Sequence, residues 1–322
     1  MKKFKFNTEF VFFFSGIAAG LLILVIIGIY SSKYNSGSQI NNYFSSDSNY
    51  SNKIVSPKIP DRIDFAGERV PLENFEVKER IDREMLVNVY WYSSTILGLK
   101  RANRWFPVIE PILKRNNVPD DFKYLAVIES NLTNTTSYAG AVGFWQLTED
   151  VAKNYGLEVD DEVDERYNVE KSTEAACKYL IDAHDEFKNW TLAAAAFNMG
   201  KNGLEKQIER QRVHNYYNLL LSEETLRYVA RIISMKLIFS NPAEYGYALN
   251  KDDLYPPLQT HNVEINSPVE NWTDFAFSHG INYKILKYYN PWLRDISLTN
   301  KKKKVFEIKI PDEGSYQPIK DE

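Results

Sequence analysis

Residues 120–146 read DDFKYLAVIESNLTNTTSYAGAVGFWQ, and their spacing decides how the rest of the chain is read. Pro119 and Asp120 form a helix start, a rigid residue followed by a short acid suited to capping free N–H groups. Phe122, Leu125 and Ala126 follow at helical spacing, and the next position on that stripe is Glu129. An ionisable carboxyl group is thus predicted at the end of an apolar face, where the helix runs into an Asn/Thr/Ser loop. Burial there disfavours the charged form and raises the pKa, which suits a general acid. An isolated helix-end Glu ordinarily pairs with a Lys or Arg, so the case rests on its neighbours. The loop leads to Gly140, Gly143 and the Phe144-Trp145-Gln146 step, where small residues admit a ligand close to backbone and an aromatic and an amide can face it.

Taken together, Glu129-Ser130, Ser137-x-x-Gly140-Ala141-x-Gly143 and Gln146 resemble the signature of lytic murein transglycosylases of the soluble, goose-lysozyme-like type. The nearest resemblance is to the membrane-bound type D enzymes. Two later stretches extend it. Asn189–Gly200 (NWTLAAAAFNMG) is similar to the family's Ala-Tyr-Asn-x-Gly motif, with Phe197 in place of Tyr. Its alanines let a helix press closely on neighbours, Gly200 can end that helix in a left-handed turn, and Asn198 can either cap it or face a cleft. Glu224-Thr225-Leu226-Arg227-Tyr228-Val229 resembles the late helix in which a Tyr hydroxyl reaches the catalytic Glu. Phe197, Met199 and Glu149 depart from the pattern, and none of them alters Glu129.

What the resemblance implies is a mainly α protein with a lysozyme-like catalytic domain, and Glu129 and Tyr228 as catalytic residues. Ser130, Ser137, Gly143, Gln146, Phe197 and Asn198 would contact substrate, the glycan strands of peptidoglycan. Glu129 would protonate the oxygen between MurNAc and GlcNAc and then take a proton from the MurNAc C6 hydroxyl, closing a 1,6-anhydro ring. Most glycosidases use two carboxylates, and only Glu129 is well placed here. The alternatives are a muramidase of the same fold, in which Glu149 or Asp150 positions a water, and a non-catalytic wall-binding protein.

The remainder of the chain sets the context. A net charge of −4 gives no sign of a nucleic-acid partner. No P-loop, GxGxxG, HExxH or paired-Cys spacing occurs, so no cofactor and no metal are expected. The single cysteine, Cys177, shares a helical stripe with Leu180 and Ile181 and reads as core, and His184 as a core-edge residue. Lys2, Lys3 and Lys5 precede an uncharged apolar run at residues 10–30, near the ~20 residues that a membrane-spanning helix needs. With no good cleavage site after it, the run predicts a single-pass anchor, residues 1–9 cytoplasmic and the body extracytoplasmic, periplasmic in a two-membrane cell.

Residues 31–75 read as a linker, 76–250 as the catalytic domain, 256–311 as a small β-α-α-β module similar to LysM, and 312–322 as a tail. That module lacks the usual Gly-Asp-Thr opening. The helix near residues 100–115 is expected to break or kink at Pro107 and Pro111. The acidic stretch Glu158–Glu165 and the run Lys301–Lys304 read as solvated loops, and the two modules as separable.

Overall fold

The computed structural model describes residues 54–316; the expected anchor and the ends of the chain, residues 1–53 and 317–322, lie outside the described residues. The described residues from 56 onward group as one compact unit. Among the described residues no helix is long and apolar enough to cross a membrane.

The body is mainly helical. It begins with a small hairpin, β1 (Asp64–Phe65) against β2 (Glu68–Arg69). The expected linker therefore ends well before residue 75: Ile63, Phe65 and Val70 are buried in the main core. Glu68 adds a polar tie, its carboxylate accepting from the backbone N–H groups of Trp190 and Thr191 at 2.6 and 2.9 Å.

Helix α1 (Phe75–Tyr90) starts at Asn74, whose side chain accepts from Glu76 N, and buries Val77, Ile81, Met85 and Val89 at helical spacing. Helix α2 (Tyr92–Arg115) runs through both prolines without the break that the sequence suggests. Asn103, Pro107 and Pro111 form one i, i+4 stripe, and all three are exposed. The carbonyls that lose an N–H partner at each proline therefore face water, which satisfies them.

After a 3-10 turn at Asp120–Phe122 comes α3 (Lys123–Ser130), eight residues long and buried on nearly every side. Asp120 does not cap it; its carboxylate instead accepts from Lys123 Nζ, which also reaches Glu110 at 2.7 Å. Then follow α4 (Glu149–Asn154), α5 (Val169–Phe187), α6 (Trp190–Met199), α7 (Lys201–Gln211) and α8 (Glu223–Ser240). Side chains of Thr148, Asn168, Asn189 and Ser222 cap α4, α5, α6 and α8 by accepting from N–H groups of the first turn. Helix α3 packs on α8, α8 on α1 and α6, and α5 on α2 and α6. Ala193–Ala196 are fully buried, and the absence of long side chains there lets α6 sit deep among its neighbours. Cys177 is buried and His184 stacks on Trp190 at the core edge.

The C-terminal module has the expected order: β3 (Thr260–Ile265), α9 (Trp272–Ser278), α10 (Tyr283–Tyr289) and β4 (Phe306–Pro311). The strands pair antiparallel, with Val263 opposite Ile308. Trp272, Leu286, Trp292, Phe306 and Ile308 form its core, and Val163 from the helical part is buried among them.

The acidic stretch is thus a seam rather than a solvated loop. Asp164 N donates to Trp292 O at 2.9 Å, Arg294 N donates to Glu162 O at 2.8 Å, and Thr299 donates to the Glu162 carboxylate. Lys302 and Lys304 both reach Glu158, so the lysine run is partly spent on that seam. The two modules share core and backbone hydrogen bonds, which counts against reading them as separable.

Candidate active site

Glu129 lies one residue before the end of α3, half-buried, on the stripe already occupied by the buried Phe122, Leu125 and Ala126. The phenol of Tyr228, on α8, donates to its Oε1. Tyr228 is 1% exposed, and burial, with the Glu129 charge beside it, raises its pKa well above the ordinary value. It therefore stays a proton donor. Burial raises the Glu129 pKa, while the Tyr228 hydrogen bond and the positive charge of Arg231 pull it down. Arg231 is itself held by Ile128 O, which accepts from its Nη2 at 3.0 Å. The net direction is upward, so the carboxyl group keeps its proton more readily than an ordinary glutamate.

A further carboxylate comes into play here that the sequence reading passed over. Glu224 raises the Glu129 pKa by like-charge repulsion, and it stands one helical turn before Tyr228 on α8. The i, i+4 spacing was legible, and with Tyr228 expected on Glu129 it places Glu224 on the same face of α8. Glu224 Oε1 also lies 3.5 Å from Asn198 Nδ2, and Asn198 Oδ1 accepts from Thr225 Oγ1 at 2.8 Å. Asn198 is thereby fixed at the end of α6 toward α8, and the structure brings it together with Glu224, Tyr228 and Glu129.

The loop after α3 is built by its own polar groups. Ser137 Oγ accepts from Ala141 N at 3.0 Å, and Ser137 N donates to Ala141 O at 2.8 Å, which closes the tight turn at residues 137–141. Gly143 has φ +83°, and a Cβ there would stand 2.1 Å from the Arg166 carbonyl oxygen. Only glycine fits that position. Gln146 takes φ +48°, and its amide nitrogen donates to Thr135 O and Gly143 O at 3.0 and 2.8 Å. Arg166 clamps the loop from behind: its Nη1 reaches Gly140 O and Leu147 O, while Nε and Nη2 donate to the Asp164 carboxylate at 2.9 and 2.7 Å.

Ser130 departs from the expectation of a substrate contact. It is 8% exposed, and its hydroxyl is spent on Ala126 O and Phe144 O, tying the end of α3 to the loop. Phe197 is half-buried, edge-on to Trp145 and Tyr179, so the ring of the usual Tyr is kept as packing without its hydroxyl. Glu149 and Asp150 are exposed at the head of α4, where Glu149 pairs with Lys153. Among the described residues no cluster of His, Cys, Asp and Glu is suited to hold a metal ion.

Residues 106–220 match the Transglycosylase SLT domain family, and residues 261–314 match the soluble lytic transglycosylase C-terminal LysM-like domain family. Two curated proteins named membrane-bound lytic murein transglycosylase D, from Escherichia coli strain K12 and strain CFT073, are each 28% identical over 243 residues. That alignment covers 73% of this chain and 52% of theirs, so the chain spans about half the length of these relatives. Among solved structures, an inactive mutant of the lytic transglycosylase Slt from Pseudomonas aeruginosa overlaps 57% of this chain and 36% of its own, at 15% identity and a TM-score of 0.36. By sequence, then, the chain joins a transglycosylase SLT domain to a LysM-like domain of the soluble lytic transglycosylase C-terminal type.

Proposed function

We propose that this protein is a peptidoglycan lytic transglycosylase that serves cell-wall remodelling. The single observation that carries the reading is Glu129: a half-buried carboxyl group with a raised pKa, bonded by the Tyr228 phenol, inside the segment that matches the SLT domain. Glu129 donates its proton to the oxygen of the β-1,4 bond between MurNAc and GlcNAc, and the C1–O bond breaks. The MurNAc C6 oxygen then bonds to C1 while its proton passes to Glu129, which leaves a 1,6-anhydro ring and the enzyme unchanged. No water is consumed.

Tyr228 orients the carboxyl group through its hydrogen bond. We assign the sugar contacts to Asn198 and to the amide oxygen of Gln146, whose Nε2 is spent on the loop, while Ser137 and Gly143 shape that loop, Ser130 braces the end of α3, and Phe197 supports the site by packing. The names of the Escherichia coli relatives support the same activity and an attachment to membrane. We assign that attachment to residues 10–30, with residues 1–9 on the cytoplasmic side, the body outside the cytoplasmic membrane, and the chain up to about residue 55 as a tether.

Glu224 gives a specific reason to weigh hydrolysis as the second reading, because a second carboxylate beside Glu129 could activate a water. Mass spectrometry of fragments released from purified peptidoglycan separates the two. Anhydro-MurNAc ends, one water lighter, are expected. Reducing ends alone would favour the hydrolase, and no fragments at all would count against any catalytic role.

A further inference from the structure

A cleft of about 390 Å³ opens between the helical part and the C-terminal module, lined by neither Glu129 nor Tyr228. Its size is within the about 300–1,000 Å³ typical of small-ligand sites. Both modules supply its rings: Trp105, Phe144 and Tyr167 from one, Tyr289 and Trp292 from the other, with Tyr255 from the connecting segment. Trp105, Tyr167, Tyr255 and Tyr289 are only half-buried; Arg294 lies over the Tyr167 ring at 4.2 Å and Arg104 over the Tyr255 ring at 5.3 Å, so Trp105 and Tyr289 offer the flat apolar surface to a ligand.

The charged lining is Arg101, Arg104, Glu170 and Lys309. Glu170 and Lys309 form an ion pair with each other. Arg101 and Arg104 stand three residues apart on α2, and among the described residues their partners are neutral, including the Tyr255 ring under Arg104 at 5.3 Å. Arg101 Nη1 donates to Asn131 O at 3.2 Å; Arg104 donates to Pro256 O at 2.9 Å and to Tyr288 Oη at 3.1 Å. Two guanidinium charges therefore remain uncompensated in this cleft, on a chain whose net charge is −4. The floor is Leu132, Thr133 and Asn134, the residues through which the chain leaves Glu129 and Ser130.

Flat rings, hydroxyl and amide side chains, and two unpaired guanidinium groups suit a ligand with apolar faces, many hydroxyls and a carboxylate. We propose that this cleft is a second saccharide site, which takes a carboxylate-bearing amino-sugar chain beside the catalytic helix. The proposal rests on the reading of this protein as one that acts on peptidoglycan. It requires the seam at Glu158–Glu165, because neither module forms the cleft alone. Rings stack on sugar faces, and the guanidinium groups take the acid in charge-assisted hydrogen bonds.

The test uses full-length protein in detergent carrying Glu129→Gln to prevent turnover, with fluorotryptophan at all tryptophans. The acidic probe is peptide-free wall glycan whose alternate sugars carry lactyl carboxylates; the neutral probe is N-acetylated chitotetraose. The fluorine resonances of Trp105 and Trp292 should shift with the acidic glycan. Arg104→Gln should weaken that glycan about tenfold while changing the neutral oligomer less than twofold. Leu258→Trp, which fills the cleft from its connecting segment, should abolish the shifts of Trp105 with both probes while melting like its parent.

Unshifted Trp105 and Trp292 resonances, equal affinity for the two probes, or indifference to both substitutions would each overturn the proposal. Separately, wild-type protein is assayed for Glu129-dependent cleavage of peptidoglycan. Cleavage without any response in the cleft sinks this proposal alone; a cleft response without cleavage sinks the catalytic reading alone.

Discussion

In the proposed reaction the proton on Glu129 decides the chemistry, and its neighbours set how tightly that proton is held. Burial raises the Glu129 pKa, so the folded protein binds the proton more tightly than the unfolded chain does. That preference contributes stability at pH values below the unfolded pKa, and the contribution is lost as pH rises through the raised folded value. Glu129→Gln keeps the shape and can still accept from Tyr228, but it cannot pass a proton. It should cost about 10²–10⁴-fold in turnover or more, since one group serves both steps. In thermal melts the variant should unfold at a higher temperature than wild type near neutral pH, and the two curves should converge as pH falls below the carboxylate range. A variant less stable than wild type at neutral pH would show that the charged form is the one the fold favours.

Gly143→Ala tests the loop at the same scale. Its Cβ would meet the Arg166 carbonyl at 2.1 Å, and φ is +83°. Left-handed strain of roughly 1–3 kcal/mol, plus displacement of the Arg166 backbone, should lower the denaturant midpoint clearly. A midpoint within error of wild type would mean that the loop tolerates a side chain there.

At the scale of elements, the site depends on how α8 is held against α1 and α3. Glu84, 1% exposed, accepts at Oε1 from Arg227 Nε at 2.7 Å across α1 and α8, and at the same oxygen from Arg83 Nη1 at 2.7 Å. Arg227 is the residue before Tyr228, so this tie fixes the rotation of α8 that aims the phenol at Glu129. Glu84→Ala should destabilise the fold by about 2–3 kcal/mol, below the roughly 3–5 of a fully buried pair because both arginines reach solvent. Turnover should fall more than substrate affinity, because the positioning of Glu129 suffers rather than the sugar contacts. Kinetics that show the reverse, a raised KM with kcat intact, would place Glu84 in substrate binding instead. In the sequence Glu84 falls on the helical stripe of Val77 and Ile81, which places it on the buried face; that Arg227 would meet it there is not local information.

For the whole molecule, the seam predicts one cooperative unit. Val163 sits in the core of the C-terminal module, and backbone bonds cross at Asp164–Trp292 and Glu162–Arg294. Calorimetry of residues 56–322 should give a single transition, and cutting the chain before Pro256 should lower the melting temperature of what remains by exposing Val163. Two resolved transitions, or an unaltered melt after truncation, would restore the picture of independent modules. The seam also reaches the catalytic loop, because Asp164 holds Arg166 and Arg166 holds Gly140 O and Leu147 O.

Sequence alone determined much of this. The stripe Phe122, Leu125, Ala126, Glu129 gave the position of the carboxyl group, because a helical period places it without reference to any distant residue. The β-α-α-β order of the C-terminal module followed likewise from local periodicity and turn residues. Gly143 was legible as a special position, though the Arg166 carbonyl that forbids a side chain there was not.

What only the tertiary structure decided are the pairings between residues far apart in the chain. These are Glu224 beside the Glu129–Tyr228 pair that the family resemblance already implied, Glu84 on Arg227, the inward turn of Ser130, the entry of the hairpin at residues 64–69 into the core, and the seam that turns an acidic loop into an interface. The physical reason is common to all of them. Local spacing fixes which face of a helix a residue occupies, but which other face it meets depends on how the helices pack, and burial of a charge is tolerable only once its distant partner has arrived.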